Sequence, residues 1–278
     1  MIKRKVLIFF FILTSFLLFS KEYGLVLAGG GGKGAYQVGV WKALTEYGIA
    51  QKVTAISGAS VGGLNAALFA SESLERIENI WIEQVPDYLV NNNESISQSG
   101  LATLIDEVNI SKITNLVYPH IYVDALRDSD WEIYYFELNK YQTTDIKQLL
   151  LATSAVPLLC DKIFFENDFY SDGGGFLLNL FGNNLPWEPI EDLALNPKFD
   201  VDTIFLVYLK DKYLENTDFI PGFKVIPIIP SEWLGGLLLG TLNFSRSTIR
   251  HLIELGYNDT IKVLQENNYY PVSEFWFE

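Results

Sequence analysis

I-S-G-A-S-V-G-G-L-N-A-A-L-F-A, residues 56–70, joins two patterns that belong to different elements. Residues 53–57 form a short apolar run of strand length, and residues 61–70 continue at helical length. Between them stands Gly58-Ala59-Ser60-Val61-Gly62, a G-x-S-x-G pentapeptide on a strand-to-helix turn. Such a turn can present a serine hydroxyl at the sheet edge as a nucleophile. The competing reading is a glycine turn closed by a helix-capping serine. In the first reading Ser60 lies at a helix N-terminus, where free N–H groups favour developing negative charge. The chain has only two histidines, His120 and His251. What would take the proton from Ser60 is therefore the question that the rest of the sequence must answer.

Outward from this stretch, strand-like and helix-like segments alternate, which predicts an α/β fold with a mainly parallel sheet covered on both faces. Residues 23–27 read as a buried strand, 29–34 as a glycine turn, and 35–47 as a helix ended by Gly48. Residues 74–84 read as a third helix stopped by Pro86, and the polar stretch 87–99 as a surface loop. Residues 131–138 alternate like a strand. Thr144 is the expected cap of a helix that Pro157 terminates. Strands are expected at 203–209 and 224–229, and a long helix or helix pair at 244–267. Neither repeats nor linkers break the chain, so residues 21–278 are expected to form one domain.

The 278 residues are 49% hydrophobic, enough for a substantial core, and carry a formal charge of −14. That charge excludes nucleic acid as a partner, because phosphate binding needs basic patches. It equally excludes electrostatic docking on anionic lipid, so any membrane contact would have to be apolar. A single cysteine, Cys160, and two distant histidines imply neither a disulfide framework nor a metal site. Lys3-Arg4-Lys5 precedes an apolar run at 6–19, the pattern of a secretory signal and short for a spanning helix. The cleavage site near Leu18-Phe19-Ser20 lacks small residues. Residues 1–20 are thus expected to be a signal peptide or a membrane anchor, and the chain to be exported.

Two further motifs accompany Ser60. Residues 28–40 read A-G-G-G-G-K-G-A-Y-Q-V-G-V. Gly29-x-Gly31-x-x-Gly34 also fits a dinucleotide fingerprint, but the next strand ends in Ile56-Ser57-Gly58 with no acidic residue to hold a ribose. A phosphate-binding loop of the G-K-[ST] type fails because Gly34 follows Lys33. The remaining chemistry for successive glycine N–H groups is an oxyanion hole. The other motif is Tyr170-Ser171-Asp172-Gly173-Gly174, where Asp-Gly alone would signal a hairpin turn. Beside Ser60, a carboxylate made more basic by burial could take the serine proton with no imidazole.

Together these motifs resemble the patatin-like phospholipases. Gly29 to Gly34 is similar to that family's oxyanion glycine motif, Gly58 to Gly62 to its nucleophile elbow, and Asp172-Gly173-Gly174 to its D-G-G/A motif. Ala152-Thr153-Ser154-Ala155-Val156-Pro157 and Leu255-Gly256-Tyr257 also look like family segments. The resemblance covers about residues 23–265. It implies a three-layer α/β/α lipid acyl hydrolase with a Ser60–Asp172 dyad and no catalytic histidine, metal or cofactor. The oxyanion would be held by Gly30, Gly31 and Gly32, with Lys33 orienting the loop. A phospholipid or other lipid ester at a membrane surface is the implied substrate. The chain departs from the family after Pro157, where Cys160 and Lys162 stand, and in the longer run between Gly174 and Asn183. Asp161 and Asp168 are rival carboxylates not followed by glycine, and His120 and His251 read as structural or surface residues. The apolar run at 175–182 is expected either to line an apolar lip of the acyl site or to complete the core. A catalytically weak lipid-binding member is the alternative reading, and a nucleotide-binding α/β protein the distant one.

Overall fold

Every residue of β1 (Glu22–Leu27) after the first is buried, as is every residue of β2 (Val53–Gly58). A strand buried on both faces belongs in the middle of a sheet with cover on each side. The computed structural model describes residues 22–90, 97–174, 184–196, 198–210 and 220–272. Six more strands complete the sheet: β3 (His120–Arg127), β4 (Ile133–Glu137), β5 (Ile163–Phe165), β6 (Asp168–Asp172), β7 (Val201–Val207) and β8 (Lys224–Ile228). Their order is β5-β6-β3-β2-β1-β7-β8, with β4 also on β3. The pairs β3–β2, β2–β1, β1–β7 and β7–β8 are parallel, whereas β3–β4, β3–β6 and β5–β6 are antiparallel. The sheet is therefore mixed, with helices on both sides.

The helices are α1 (Ala35–Glu46), α2 (Val61–Ser71), α3 (Leu74–Asn79), α4 (Val85–Leu89), α5 (Gln98–Glu107), α6 (Thr143–Thr153), α7 (Glu188–Ala194) and α8 (Arg246–Glu266). α1 and α8 pack backbone to backbone. A Cβ on Gly39 would lie 2.0 Å from the Ile253 carbonyl oxygen, and one on Gly256 2.1 Å from that of Tyr36. The Leu255-Gly256-Tyr257 segment thus has a packing reason. The contact is locked by the buried Tyr36 hydroxyl, which donates to Asp259 at 3.0 Å.

Four local readings are corrected. Pro86 does not stop the third helix: a π turn at Ile80–Gln84 links α3 to α4, and Pro86 falls in the first turn of α4. There the missing proline N–H has no helical acceptor to lose. The loop expected at 87–99 is helical as far as Leu89 and again from Gln98. Helix α6 starts at Thr143 with Gln142 in the cap position, so Thr144 is no cap. The hairpin turn is not at Asp172-Gly173 but at Glu166-Asn167. Both of these residues have positive φ, 44° and 69°, the requirement of a type I′ turn. Asp172 instead ends a strand.

Two features of register build a site. Leu27 pairs with Gly58 on one side and Val207 on the other, so β1, β2 and β7 end level and their loops leave one edge. The chain crosses from β2 and β3 to β7 around β1, a switch point where a crevice opens. Residues 122–126 of β3 pair with β4 on one edge. Residues 120–123, paired with β2, and 125–127, paired with β6, must then share the opposite edge. β6 takes over that edge where β2 leaves it, which carries Asp172 to the turn after Gly58.

Candidate active site

Ser60 has φ 53° and ψ −124°, outside the ordinary range for a residue with a side chain. Such a conformation costs about 1–3 kcal/mol and persists only where its surroundings enforce it. Its N–H donates to Thr153 Oγ1 at 2.9 Å. Although Ser60 occupies the cap position of α2, its hydroxyl makes no capping bond to that helix. The hydroxyl lies instead close enough to the Asp172 carboxylate to favour its ionised form. Asp172 is 3% exposed and accepts the Gly174 N–H on Oδ1 at 2.7 Å. Burial raises its pKa from 3.8 to about 6, against the opposing pull of the Ser60 and Gly174 bonds. The carboxylate is therefore more basic than an exposed aspartate and still ionised at neutral pH.

The glycine turn faces this pair. Gly29, Gly30, Gly31, Lys33, Ser60, Asp172 and Gly174 line a common cavity of about 270 Å³. Gly31 has φ +57°, and a Cβ there would meet the Thr241 carbonyl oxygen at 2.3 Å, so this position tolerates only glycine. Gly32 is buried against the Asn243 carbonyl and does not line the cavity. Gly30, Gly31 and Gly32 open a helical turn at Gly31–Gly34. The first N–H groups of such a turn have no acceptor within it. A buried network clamps the turn in place. Gln37 Nε2 donates to the Ala28 carbonyl at 2.7 Å, Asn65 Nδ2 to those of Gly34 at 3.0 Å and to Gln37 Oε1 at 2.8 Å, and Trp81 Nε1 to Asn65 Oδ1 at 2.9 Å. Gly34 itself packs against Val61, and Gly58 against Gly62, at the start of α2.

Ser60 also lines a second cavity, of about 100 Å³. Leu64, Leu68, Trp81, Leu104 and Phe244 are among its walls, which are almost wholly apolar. Ser60 thus lines both an almost wholly apolar chamber and one whose walls add Lys33, Asp172 and Lys210.

The remaining candidates lie elsewhere. His120 begins β3, level with Ala55 of β2, five residues upstream of Ser60, and its Nδ1 is 2.7 Å from Glu137 Oε1. His251 is exposed on α8, 3.3 Å from Glu232. Asp168 opens β6 and binds Ser129, and Asp161 bonds through its backbone to Gln98. The run 175–182 lies outside the described residues. Thr153, Asp124 and Asn184 reach the site without having been singled out. Thr153 stands inside a segment already noted, and Asp124 is the lone acid of an apolar strand. Asn184 accepts the Gly29 N–H through its carbonyl at 3.4 Å and lines the cavity. Trp233 and Leu237, Leu238 and Leu239 are exposed at the rim, with Leu237 on the wall of the larger cavity.

The solved structure of VipD from Legionella pneumophila is similar over 89% of this chain and 67% of its own, with a TM-score of 0.56 and 15% identity. ExoU of Pseudomonas aeruginosa, in its complex with SpcU, aligns over 88% of this chain and 51% of its own at 16% identity, with a TM-score of 0.40. Lysophospholipase nte1 of Aspergillus terreus is 48% identical over 56 residues, 20% of this chain and 4% of that protein. This chain therefore spans a small fraction of that relative's length. The sequence matches the family model for patatin-like phospholipase over residues 25–190, more than half of the chain, and the chain belongs to that family.

Proposed function

We propose that the protein is a lipid acyl hydrolase in which Ser60 is the nucleophile and Asp172 its base. The observation that supports this reading is the Ser60 side chain, which does not cap its own helix and lies beside a buried carboxylate whose ionised form it favours. Ser60 attacks the ester carbonyl while its proton passes to Asp172. The tetrahedral oxyanion forms beside the glycine turn and accepts from the N–H groups of Gly30 and Gly31. Because the Ser60 N–H is committed to Thr153, the oxyanion must depend on that turn. Asp172 then gives its proton to the leaving alcohol. Water, deprotonated by the same carboxylate, releases the fatty acid from Ser60.

The two cavities divide the substrate between them. The acyl chain enters the apolar chamber lined by Leu64, Leu68 and Trp81, and the polar leaving group sits towards Lys33 and Lys210. We further propose that the substrate comes from a lipid surface reached through the apolar rim, since a charge of −14 gives no electrostatic attraction to anionic lipid. The basic cluster Lys3-Arg4-Lys5 and the apolar run behind it support export as the route to that surface.

A fluorophosphonate probe tests the chemistry directly. Wild type is expected to label covalently, and Ser60→Ala and Asp172→Asn to lose both labelling and hydrolysis of lysophospholipid. A wild-type protein that binds lipid vesicles yet never labels would be a lipid-binding member without the activity.

A further inference from the structure

Asp124 of β3 is fully buried and has no part in the chemistry above. Register sets its place: Ala125 pairs with Asp172 in an antiparallel ladder, which brings Asp124 level with Gly173. A Cβ on Gly173 would stand 2.6 Å from Asp124 Oδ2 and 2.7 Å from its Cγ. The middle residue of the D-G-G motif is glycine because the Asp124 carboxyl fills the space. Asp124 Oδ1 accepts from the Thr153 hydroxyl at 3.2 Å, and Thr153 Oγ1 accepts the Ser60 N–H at 2.9 Å. A hydroxyl has one proton to donate. With the Ser60 N–H arriving at its oxygen, Thr153 sends that proton to Asp124. The chain of bonds ends on the backbone of the residue whose conformation is strained.

Asp124 Oδ2 has no hydrogen-bond partner among the described residues. A buried carboxylate ordinarily gathers several donors or a cation. Asp124 has the Thr153 hydroxyl and its own backbone N–H, and the charged side chains acting on it, Asp172 and Glu188 of α7, are both acidic. Burial first, and then the Asp172 charge, holds its carboxyl well above the usual range. Asp172, favoured in its ionised form by the Ser60 side chain and the Gly174 N–H, is the easier of the two to ionise. Two neighbouring carboxyls in unlike surroundings separate into an acid and a base.

We propose that Asp124 is a protonated positioning residue: through Thr153 it holds the Ser60 backbone in its turn, and by staying neutral it leaves the ionised state to Asp172. The proposal rests on the Ser60–Asp172 reading above and adds two residues that touch no substrate.

One test needs no turnover. At about pH 8, above the usual carboxyl range, the infrared carbonyl stretch of a protonated carboxylic acid is expected in the full-length wild type. It should persist in Asp172→Asn and vanish in Asp124→Asn. Absence of that band from wild type, or its survival in Asp124→Asn, overturns the proposal whatever the protein hydrolyses. Kinetics on a short soluble ester supply the second test. Asp124→Asn keeps both the acceptor and the neutrality, so kcat should stay within about threefold and the acid limb of the pH profile should not move. Thr153→Val should lower kcat roughly tenfold or more with KM within about twofold, and Thr153→Ser should restore it. Adding Asp124→Ala to Thr153→Val should cost little further, because both break one chain of bonds. An acid limb that drops by about one pH unit or more in Asp124→Asn would mean Asp124 is charged. That result, or full kcat in Thr153→Val, rejects the proposal. Failure of the hydrolase reading looks different: wild type neither labels nor turns over, while the infrared band remains.

Discussion

A serine at the start of a helix has an easy use for its hydroxyl, and Ser60 does not take it. Its side chain makes no cap, and the carboxylate beside it is tuned by burial to about 6. Because only the ionised form accepts a proton, activity should rise with pH through about 6 and then level. Assays on a soluble ester between acid and mildly alkaline pH give that profile. Stability runs the other way. Between 3.8 and about 6 the folded chain holds a proton that the unfolded chain releases, so this contribution is present at low pH and lost as pH rises through about 6. The cost at neutral pH is roughly 3 kcal/mol at most, taking about 1.4 kcal/mol per unit. Asp172→Asn removes it. That variant should lose about 10²–10⁴ in kcat, the range for a general base, yet melt no lower than wild type above neutral pH. His120→Ala and His251→Ala should keep their activity; a dead variant of either would bring back a histidine mechanism. The motif residues were legible because their spacing is local. Asp124 and Thr153 were not, since each joins the site through strand register or a helix end far away in sequence.

Gly256 was legible as part of a recurring segment, and the structure supplies its reason. An alanine at a free helical position is favoured over glycine by about 1 kcal/mol. In α8 its methyl would need to occupy space 2.1 Å from the Tyr36 carbonyl oxygen, and overpacking of this kind costs about 1–3 kcal/mol. Gly256→Ala is therefore expected to lower the melting temperature by a few degrees. A rise would show that the α1–α8 contact is loose. Most parallel strands and long helices could be read from apolar runs, because burial on both faces writes itself into composition. Of the antiparallel end only β4 could, from the alternation at 131–138. The β5–β6 turn uses Glu166-Asn167 where a glycine would have signalled it, and β3 exchanges β2 for β6 along one edge, which no local pattern records. Pro86 misled for a related reason: a π turn places it where its missing donor costs nothing.

On the proposed reading, the molecule as a whole must bring a water-insoluble ester to a buried serine while carrying a charge of −14. No helix among the described residues is long and apolar enough to cross a membrane. If residues 1–20 direct export, fractionation should find the chain outside the cytoplasm, and intact mass should show whether cleavage occurs near Ser20. Contact with the lipid itself falls to the rim. Trp233 is 66% exposed, Leu238 75% and Leu239 69%, at and just before a π turn (Leu237–Thr241) whose Leu237 lines the cavity containing Ser60 and Asp172. Exposed apolar groups at the mouth of a cavity gain roughly 25 cal/mol per Å² when a lipid surface covers them. Their removal should therefore weaken capture of the substrate and leave the chemistry alone. Leu238→Ser combined with Leu239→Ser is expected to fold with an unchanged melting temperature, since both side chains already face water. Hydrolysis of a short soluble ester should stay within about twofold of wild type, because uniform binding rather than the chemical step is altered. Activity on phospholipid vesicles should fall by roughly tenfold or more, the equivalent of about 1.4 kcal/mol of lost surface binding. Equal losses on both substrates would make the loop part of the catalytic scaffold. No loss on vesicles would move the lipid contact elsewhere on the surface.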